Sequence, residues 1–388
     1  MRLSPRVMEQ QIAVFGESGS GKTVLLSSFY GAAQEPGFLE SNPFRVLPED
    51  AGQGSRLHAN YLGMKKSAKL PMTDHFSGST YSFSITPAAG KGQNKDRRQL
   101  EGLRLVWYDY PGEWLEQEAS GPEEAARRIE TFRSLLGSDV AFLLVDGQRL
   151  LDNTHEEERY LKHLFTSFRN TLISLQDDLL IDGKKLDTFP RIWIIALSKA
   201  DLLPEMDVFG FRDLVIEAAF GEVNALRKTI DDLVEGTAAL AMGEDFVRLS
   251  SAKFEPNVIA VDQRIGVDLI LPMASVLSFE RYARWLRAKL IPNKIAAEVA
   301  RGVGAFAAAL VGPSAGKFLG KLPRRFTAIL KLVSPELIRD AVQLAGDRLD
   351  TANDVARAKA DQLSETLTQF KIDLEIAETD RVLLRSPR

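Results

Sequence analysis

The chain has 388 residues, of which 45% are hydrophobic and 26% charged, and its formal net charge is -4. This length accommodates one large domain with an accessory region or two smaller domains, and the mild negative charge argues against a dedicated nucleic-acid-binding protein. The sequence contains no cysteine, which excludes disulfides, thiolate metal sites and cysteine nucleophiles.

The first predicted elements are a strand and a helix joined by a glycine-rich loop. The apolar run Ile12 to Phe15 predicts a buried strand, and Val24 to Tyr30 predicts the opening of a helix. Between them, residues 16 to 23 match G-x-x-x-x-G-K-[ST], the pattern of a phosphate-binding loop. Glycines allow successive backbone N–H groups to converge on phosphate oxygens, at the positive end of the following helix.

The side chains of this loop have predicted roles. Lys22 is expected to bridge the outer phosphates, and the Thr23 hydroxyl is expected to bind Mg²⁺. An ordinary glycine-rich turn is the alternative, and the flanking strand and helix favour the phosphate loop. The predicted nucleotide-binding residues of this segment are Gly16, Glu17, Ser18, Gly19, Ser20, Gly21, Lys22, Thr23 and Val24.

The next stretch, residues 31 to about 80, has no strong periodicity, and a long irregular segment in a compact domain is usually functional. Tyr81 to Ile85 alternates apolar and polar side chains, which predicts a half-buried strand. Leu103 to Asp109 is the next predicted strand. We expect the two strands to form an antiparallel hairpin with a basic turn, residues 90 to 98, at its tip.

The motif D-x-x-G follows this strand directly, at Asp109 to Gly112. In phosphate-loop proteins such an aspartate orients Mg²⁺ and the glycine amide senses the γ-phosphate. Any Asp-x-Pro-Gly turn matches the same pattern. The position at a strand end, after a phosphate loop, favours the nucleotide interpretation.

Helices and buried strands then alternate along the chain. Residues 123 to 136 and 155 to 179 have helical spacing, whereas 139 to 146 and 191 to 197 are apolar strands of the buried parallel kind. Further on, residues 211 to 234 predict a helix.

The second of these strands ends at Ser198-Lys199-Ala200-Asp201, which resembles the guanine-reading motif N/T-K-x-D. A carboxylate at Asp201 can accept hydrogen bonds from both the ring N–H and the exocyclic amine of guanine, a donor pair that adenine lacks. Ser198 stands where asparagine is commonest. A capped helix start is the alternative interpretation of this turn.

A last strand, residues 246 to 250, precedes a loop whose backbone N–H is expected to contact the guanine carbonyl. A closing helix is predicted from Ile265 to Leu290. The predicted base-binding residues of the two loops are Ser198, Lys199, Asp201, Ser251, Ala252 and Lys253.

A composition change at residues 291 to 293 indicates a boundary between a nucleotide-binding domain, residues 1–290, and a helical C-terminal region, residues 291–388. Apolar residues spaced three and four apart between 349 and 377 predict a helical seam that packs on the core or on a second copy. No apolar run is long enough to span a membrane, and the first residues lack a signal peptide, so we expect a cytoplasmic protein. Peripheral contact of the Ala/Gly-rich stretch, 295 to 321, with a membrane surface stays open.

The ordered set of motifs resembles the TRAFAC-class P-loop GTPases, both Ras-like and translation-factor-like, over about residues 9 to 290. The segment Asp109 to Trp114 looks particularly like the YcjX-type bacterial GTPases, and the arrangement is also similar to GTPases of bacterial conflict systems.

This resemblance implies an α/β fold, a Ras-like P-loop NTPase with a mostly parallel central sheet flanked by helices, plus the C-terminal α-helical region. It implies GTP or GDP and Mg²⁺ as ligands, and Lys22, Gly112 and Glu113 as the catalytic positions. Glu113 stands where Ras-like enzymes have glutamine, and three alternatives are open: it orients water while protonated, it pairs with a cation from a partner, or it points away. Hydrolysis is therefore expected to be slow without dimerisation or an arginine from a partner. The first switch would complete the Mg²⁺ shell with Thr73, or with Thr80 as second choice. The expected metal ligands are Thr23, Asp109 and Thr73.

Three functions are compatible with these residues. The first is a GTPase switch with output to a second copy or an effector protein through the C-terminal helices. The second is a P-loop ATPase, in which Ser198 to Asp201 is only a capped turn. The third is a nucleotide-bound scaffold with slow turnover that acts by assembly or at a membrane surface.

Overall fold

The computed structural model describes residues 8–71, 79–87, 103–115, 120–180, 183–185, 192–233, 242–277 and 352–386. Its centre is a single sheet of eight strands, and a separate hairpin pairs β8 (Lys253–Glu255) with β9 (Val258–Ala260). From edge to edge, the sheet contains β10 (Leu383–Leu384), β7 (Asp245–Arg248), β6 (Ile192–Ser198), β5 (Val140–Asp146), β1 (Met8–Phe15), β4 (Leu103–Asp109), β3 (Ser79–Pro87) and β2 (Phe44–Pro48).

The five central strands, from β4 through β1, β5 and β6 to β7, are parallel. On one side β3 pairs antiparallel with β4 and β2 pairs antiparallel with β3, and on the other side β10 pairs antiparallel with β7. Every residue of β5 and β6 is buried, as expected for parallel strands whose faces are both covered by helices. The predicted mixed α/β fold with a mostly parallel sheet is confirmed, and so is the antiparallel pairing of β3 with β4.

Helices cover both faces of the sheet, and a helix near the C-terminus belongs to this arrangement. The helices are α1 (Lys22–Ala32), α2 (Pro36–Ser41), α3 (Ala51–Ser67), α4 (Pro122–Leu136), α5 (Gly147–Asp152), α6 (Glu157–Ser174), α7 (Gln176–Leu179), α8 (Val208–Leu233), α9 (Ile270–Pro272) and α10 (Ala352–Thr379). None of the helices in these described ranges is long and apolar enough to cross a membrane.

Successive side chains of β1 belong to two separate hydrophobic clusters, one on each face of the sheet. Ile12 and Val14 pack on the face covered by α1, α9 and α10, whereas Ala13 and Phe15 pack on the face covered by α4, α6 and α8. Successive side chains of a strand point to opposite faces, so the apolar run of β1 serves both clusters. The carboxyl ends of the parallel strands, which precede the predicted motifs, therefore lie at one edge of a fully covered sheet.

The segment predicted to be irregular, residues 31 to 80, contains three regular elements, α2, β2 and α3. Helix α3 begins after Asp50, whose carboxylate accepts a hydrogen bond from the Gln53 amide at 2.7 Å. Leu57, Tyr61 and Met64 form its buried stripe. These three side chains lie four and three residues apart, but three glycines interrupt the pattern, and tertiary packing overrides that low helix propensity.

The predicted closing helix, Ile265 to Leu290, is different in the structure. It consists of a short 3-10 helix (Val267–Leu269), α9, and a π-helical turn (Met273–Leu277), while residues 278 to 290 lie outside the described ranges. Ile265 instead exchanges backbone hydrogen bonds with Ser250, at 2.8 and 2.9 Å. That bridge keeps the start of the segment extended beside the loop after β7.

The last described residues are part of the sheet domain. Phe370, Leu374 and Ala377 of α10 are buried in the core cluster that contains Ile12 and Val14. The Arg248 amide donates to the Val382 carbonyl at 2.9 Å, which extends the pairing of β10 with β7. The described end of α10 thus stabilises the sheet directly.

Replacing Leu374 by alanine is expected to lower the free energy of unfolding by about 2–3 kcal/mol, because the side chain is fully buried and leaves a cavity. Ile376→Ala on the same helix is the matched control, since that side chain is 51% exposed. Chemical denaturation should show a change within about 0.5 kcal/mol for the control. Equal effects of the two substitutions would contradict the packing of α10 on the core.

Candidate functional site

The glycine-rich loop connects β1 to α1 at the carboxyl edge of the sheet. Gly19 and Gly21 have φ angles of 77° and 92°, a left-handed conformation that side-chain-bearing residues rarely adopt. Helix α1 begins at Lys22, and its N-cap Gly21 supplies no side-chain cap. The first amides of α1 and of the loop therefore provide the backbone donors that an anion at this position needs.

Lys22 folds back over this loop. Its ammonium donates to the carbonyls of Gly16 and Glu17, at 2.7 and 3.0 Å, and lies 5.1 Å from the ring centroid of Tyr110. The side chain is buried. A cation is thus held at the loop, within the segment where the sequence predicts phosphate binding.

Tyr110 is a residue of this site that the sequence analysis did not single out. Its hydroxyl accepts a hydrogen bond from the Gly16 amide at 3.0 Å and is buried. The ring also packs near Phe15, with centroids 6.1 Å apart. The only sequence signal was its place inside D-x-x-G, directly after Asp109. Tyr110 fixes the start of the phosphate loop against the end of β4.

Thr23 and Asp109, two of the residues that the sequence analysis expects to bind magnesium, are in contact. The Thr23 hydroxyl donates to Asp109 Oδ2 at 3.1 Å, while Oδ1 is buried without a hydrogen bond of standard geometry to any described residue. Burial raises the pKa of Asp109, and the charge of Lys22 opposes this shift. A hydroxyl and a carboxylate with an unsatisfied oxygen fit Mg²⁺, whose charge would favour the ionised carboxylate. Thr73, the third expected ligand, lies outside the described residues, and Thr80 is exposed on β3.

Gly112 lies directly on the backbone of the phosphate loop. A β-carbon at this position would stand 2.3 Å from the Ser18 nitrogen and 2.5 Å from the Glu17 carbonyl carbon. Only glycine allows such an approach without a backbone shift. The D-x-x-G segment and the phosphate loop are therefore in direct backbone contact.

Glu113 faces the phosphate loop and does not point away from it. Glu113 Oε1 accepts a hydrogen bond from the Ser18 hydroxyl at 2.7 Å. Residues 112 to 115 form a short 3-10 helix, which directs the Glu113 side chain to this loop. In the described conformation a carboxylate thus stands beside the loop where Ras-like enzymes have an amide.

The loop after β6 is held against the end of β5. The Ser198 hydroxyl donates to the Val145 carbonyl at 3.2 Å, and the Lys199 ammonium pairs with Asp146 Oδ2 at 2.8 Å. Lys199 has a φ of 53°, an unusual angle for a residue with a side chain. Asp146 was not among the predicted site residues, because its role depends on the pairing of β5 with β6.

Asp201 makes hydrogen bonds within the protein. Its two carboxylate oxygens accept from the Ser250 hydroxyl at 2.5 Å and from the Phe254 amide at 3.1 Å. These contacts connect the loop after β6 to the loop after β7, as the guanine-binding interpretation requires of neighbouring loops. They also occupy one acceptor position on each oxygen.

The predicted residues Ser251, Ala252 and Lys253 have different environments. The Ser251 carbonyl accepts from the Ser28 hydroxyl of α1 at 2.7 Å. Ala252 is fully buried in a cluster that includes Tyr61 of α3. The Lys253 side chain is half exposed and pairs with Glu255 at 2.8 Å within the hairpin.

A cavity of about 310 Å³ lies between these loops and the start of α1. This volume is at the lower end of the range for small-molecule sites, about 300–1,000 Å³. Asp201 does not line the cavity. Leu70 and Phe254 do line it, and they are among the lining residues that the sequence analysis did not predict. The other lining residues include Gly19, Ser20, Gly21, Val24, Gln148, Ser198, Lys199, Ser250 and Ser251.

Comparisons with known proteins add little to this geometry. No protein-family model matches the chain, and no curated protein matches it. Among solved structures, it is similar to the signal recognition particle receptor SRb-GTP/SRX complex from Chaetomium thermophilum, with 18% identity, a TM-score of 0.33, and coverage of 64% of this chain and 93% of the other. It is also similar to Methanosarcina barkeri Roco2 RocCORdC bound to GDP, with 12% identity, a TM-score of 0.24, and coverage of 86% and 68%. At this level of similarity, only the residues of the site bear on function.

Proposed function

We propose that the protein binds guanine nucleotides with Mg²⁺ and hydrolyses GTP as a molecular switch. The observation that carries this proposal is the assembly of four separate motifs at one edge of the sheet. The loop with Lys22 contacts the D-x-x-G segment, and one cavity adjoins that loop and the loops that follow β6 and β7. Ligands of open α/β sheets bind at this edge, outside the carboxyl ends of the strands.

Each part of the assembly has a proposed role. Thr23 and Asp109 hold Mg²⁺, which neutralises charge between the outer phosphates. Lys22 leaves the loop carbonyls to bind the phosphates, and Gly112 anchors a second switch, the D-x-x-G segment. Because Glu113 is an acid bonded to Ser18, we propose that it cannot orient water as glutamine does, and that hydrolysis by the isolated protein is slow.

One observation favours the second candidate, a P-loop ATPase. Asp201 is bonded to Ser250 and Phe254 and does not line the cavity. A carboxylate that stays in these contacts would not select guanine. Guanine recognition requires Asp201 to accept two further hydrogen bonds or to turn from its present partners.

Equilibrium binding of fluorescent GTP and ATP, measured side by side with Mg²⁺, decides between the two functions. We expect GTP to bind at least about tenfold more tightly. Asp201→Asn should remove this preference and increase the relative affinity for the xanthine nucleotide, because the amide replaces one acceptor by a donor. Asp213→Asn, at an exposed aspartate on α8, is the control and should change nothing. Equal affinities of the wild type for GTP and ATP would favour the ATPase function.

We further propose that residues 291–388, whose described helix α10 packs on the sheet, carry the output of the nucleotide site to a second copy or an effector protein. Support comes from α10, which packs beside α9 and the 3-10 helix before it. Coupling requires that the two nucleotide states differ in these contacts. Hydrogen exchange over residues 366 to 377 is therefore expected to differ between complexes with GDP and with a GTP analogue. Identical exchange would favour the scaffold function.

A further inference from the structure

The phosphate loop contains an acidic residue, Glu17, directly before Ser18. Its side chain is only 4% exposed, and its own carbonyl accepts a hydrogen bond from Lys22 at 3.0 Å. Glu17 thus places a carboxyl group in the loop whose N–H groups are proposed to bind an anion. Because burial reduces screening by water, an uncompensated charge at Glu17 would repel a bound polyphosphate.

A basic residue of α5 compensates this charge. Arg149 Nη1 lies 3.0 Å from Glu17 Oε2, and Arg149 Nη2 lies 3.4 Å from the Ser18 carbonyl oxygen. The Arg149 side chain is 37% exposed. His163 of α6 is a weaker neighbour, with Nδ1 at 3.9 Å from Glu17 Oε1 and a side chain 68% exposed. Arg149 therefore touches both the acid and the backbone of the phosphate loop.

The position of Arg149 follows from the sheet. Helix α5 begins directly after β5, which pairs with β1, so its first turn lies beside the loop that follows β1. Asp146 caps this helix by accepting from the Gln148 amide at 2.9 Å, and the same carboxylate pairs with Lys199. Asp146 thus contacts both the first turn of α5, which carries Arg149, and Lys199 of the loop after β6.

We propose that Arg149 is a positioning residue that neutralises the carboxylate of Glu17, so that an acidic phosphate loop can hold a nucleoside triphosphate. This inference rests on the proposed nucleotide-binding function. Arg149 acts through Glu17 and does not contact the phosphates. The loss of Arg149 should therefore act through the Glu17 carboxyl group, and Glu17→Gln should cancel the defect.

The test is equilibrium binding of GTP and GDP to Arg149→Ala and to the double variant Glu17→Gln/Arg149→Ala. Arg149→Ala is expected to raise the Kd of GTP about tenfold to thirtyfold, and that of GDP less, because the triphosphate carries more charge. The double variant should return to within about threefold of the wild type. Arg159→Ala, which removes an exposed arginine paired with Glu156 on α6, is the matched control and should bind normally.

Each outcome separates this inference from the proposed function. Unchanged GTP affinity in Arg149→Ala would overturn the inference alone, provided that the wild type binds GTP and Lys22→Ala does not. A defect that the double variant fails to rescue would also overturn it, since the role of Arg149 would then not depend on the charge of Glu17. If the wild type binds no guanine nucleotide, the proposed function is wrong, and the inference that rests on it is overturned with it. If Arg149→Ala does not fold, Arg149→Gln with Glu17→Gln/Arg149→Gln gives the same comparison.

Discussion

Lys22→Ala is expected to weaken binding of nucleoside triphosphates by at least about a hundredfold, or roughly 3 kcal/mol. The ammonium is the buried cation of the loop, and it must leave the carbonyls of Gly16 and Glu17 to reach the outer phosphates. Alanine cannot replace this charge, so the phosphates would face the loop without their nearest counter-ion. Isothermal titration with GTP and Mg²⁺ at fixed salt measures the loss.

Lys162→Ala is the control for this substitution, because that lysine is on the surface of α6 and pairs with Glu158. It removes the same charge from the protein but none from the loop. Unchanged GTP affinity in Lys22→Ala would exclude the phosphate-loop interpretation, whatever the base preference.

Gly112→Ala is expected to reduce single-turnover GTP hydrolysis by at least about a hundredfold, while GDP affinity stays within about threefold. The added β-carbon would stand 2.3 Å from the Ser18 nitrogen, so the D-x-x-G segment or the loop has to shift. Such a shift breaks the Ser18–Glu113 hydrogen bond and misplaces the amide that is proposed to sense the γ-phosphate. The three atoms nearest this carbon belong to Glu17 and Ser18, so we expect the amides of residues 19 to 22 to keep their positions and the diphosphate still to bind.

Gly121→Ala is the matched control for this effect. That glycine lies nine residues further on and has a φ of 176°, and no atom of the residues that the structure describes lies within 4 Å of an added β-carbon. Rapid-quench measurements should show wild-type hydrolysis for Gly121→Ala. Normal hydrolysis in Gly112→Ala would mean that the close approach does not persist when nucleotide is bound.

The contact between Ser18 and Glu113 bears on the slow hydrolysis that the resemblance implies. Sequence alone allowed Glu113 to orient water while protonated, to pair with a partner's cation, or to point away. In the described conformation it accepts from Ser18, and Gly112 covers the Ser18 nitrogen. A γ-phosphate bound beside Ser18 would meet the Glu113 carboxylate, and the repulsion between these negative charges is a physical reason to expect slow hydrolysis by the isolated protein.

The local sequence determined the features that depend on neighbouring residues. The strand, loop and helix around Lys22 follow from a contiguous apolar run, fixed glycines and a helix start. The same holds for β5 and β6, whose uninterrupted apolar residues indicate burial on both faces. The mixed, mostly parallel fold could therefore be predicted from the order of these elements.

Elements with a weak local signal were missed. The stripe of α3 is interrupted by glycines, and β2 and β10 are short edge strands whose pairing partners are distant in the chain. Their formation depends on surfaces supplied by α1, β3 and β7. Propensity alone cannot show such surfaces.

Only the tertiary structure decided how the motifs meet. Ser18 and Glu113 are 95 residues apart, and Tyr110 contacts Gly16 across 94 residues. Arg149 reaches the phosphate loop because β5 lies beside β1 in the sheet, although more than a hundred residues separate the two strands in sequence. The direction of the Asp201 carboxylate is set in the same way, by Ser250 and Phe254 from another loop. A motif's spacing specifies the residue types at a site, whereas strand order and register determine which of them touch.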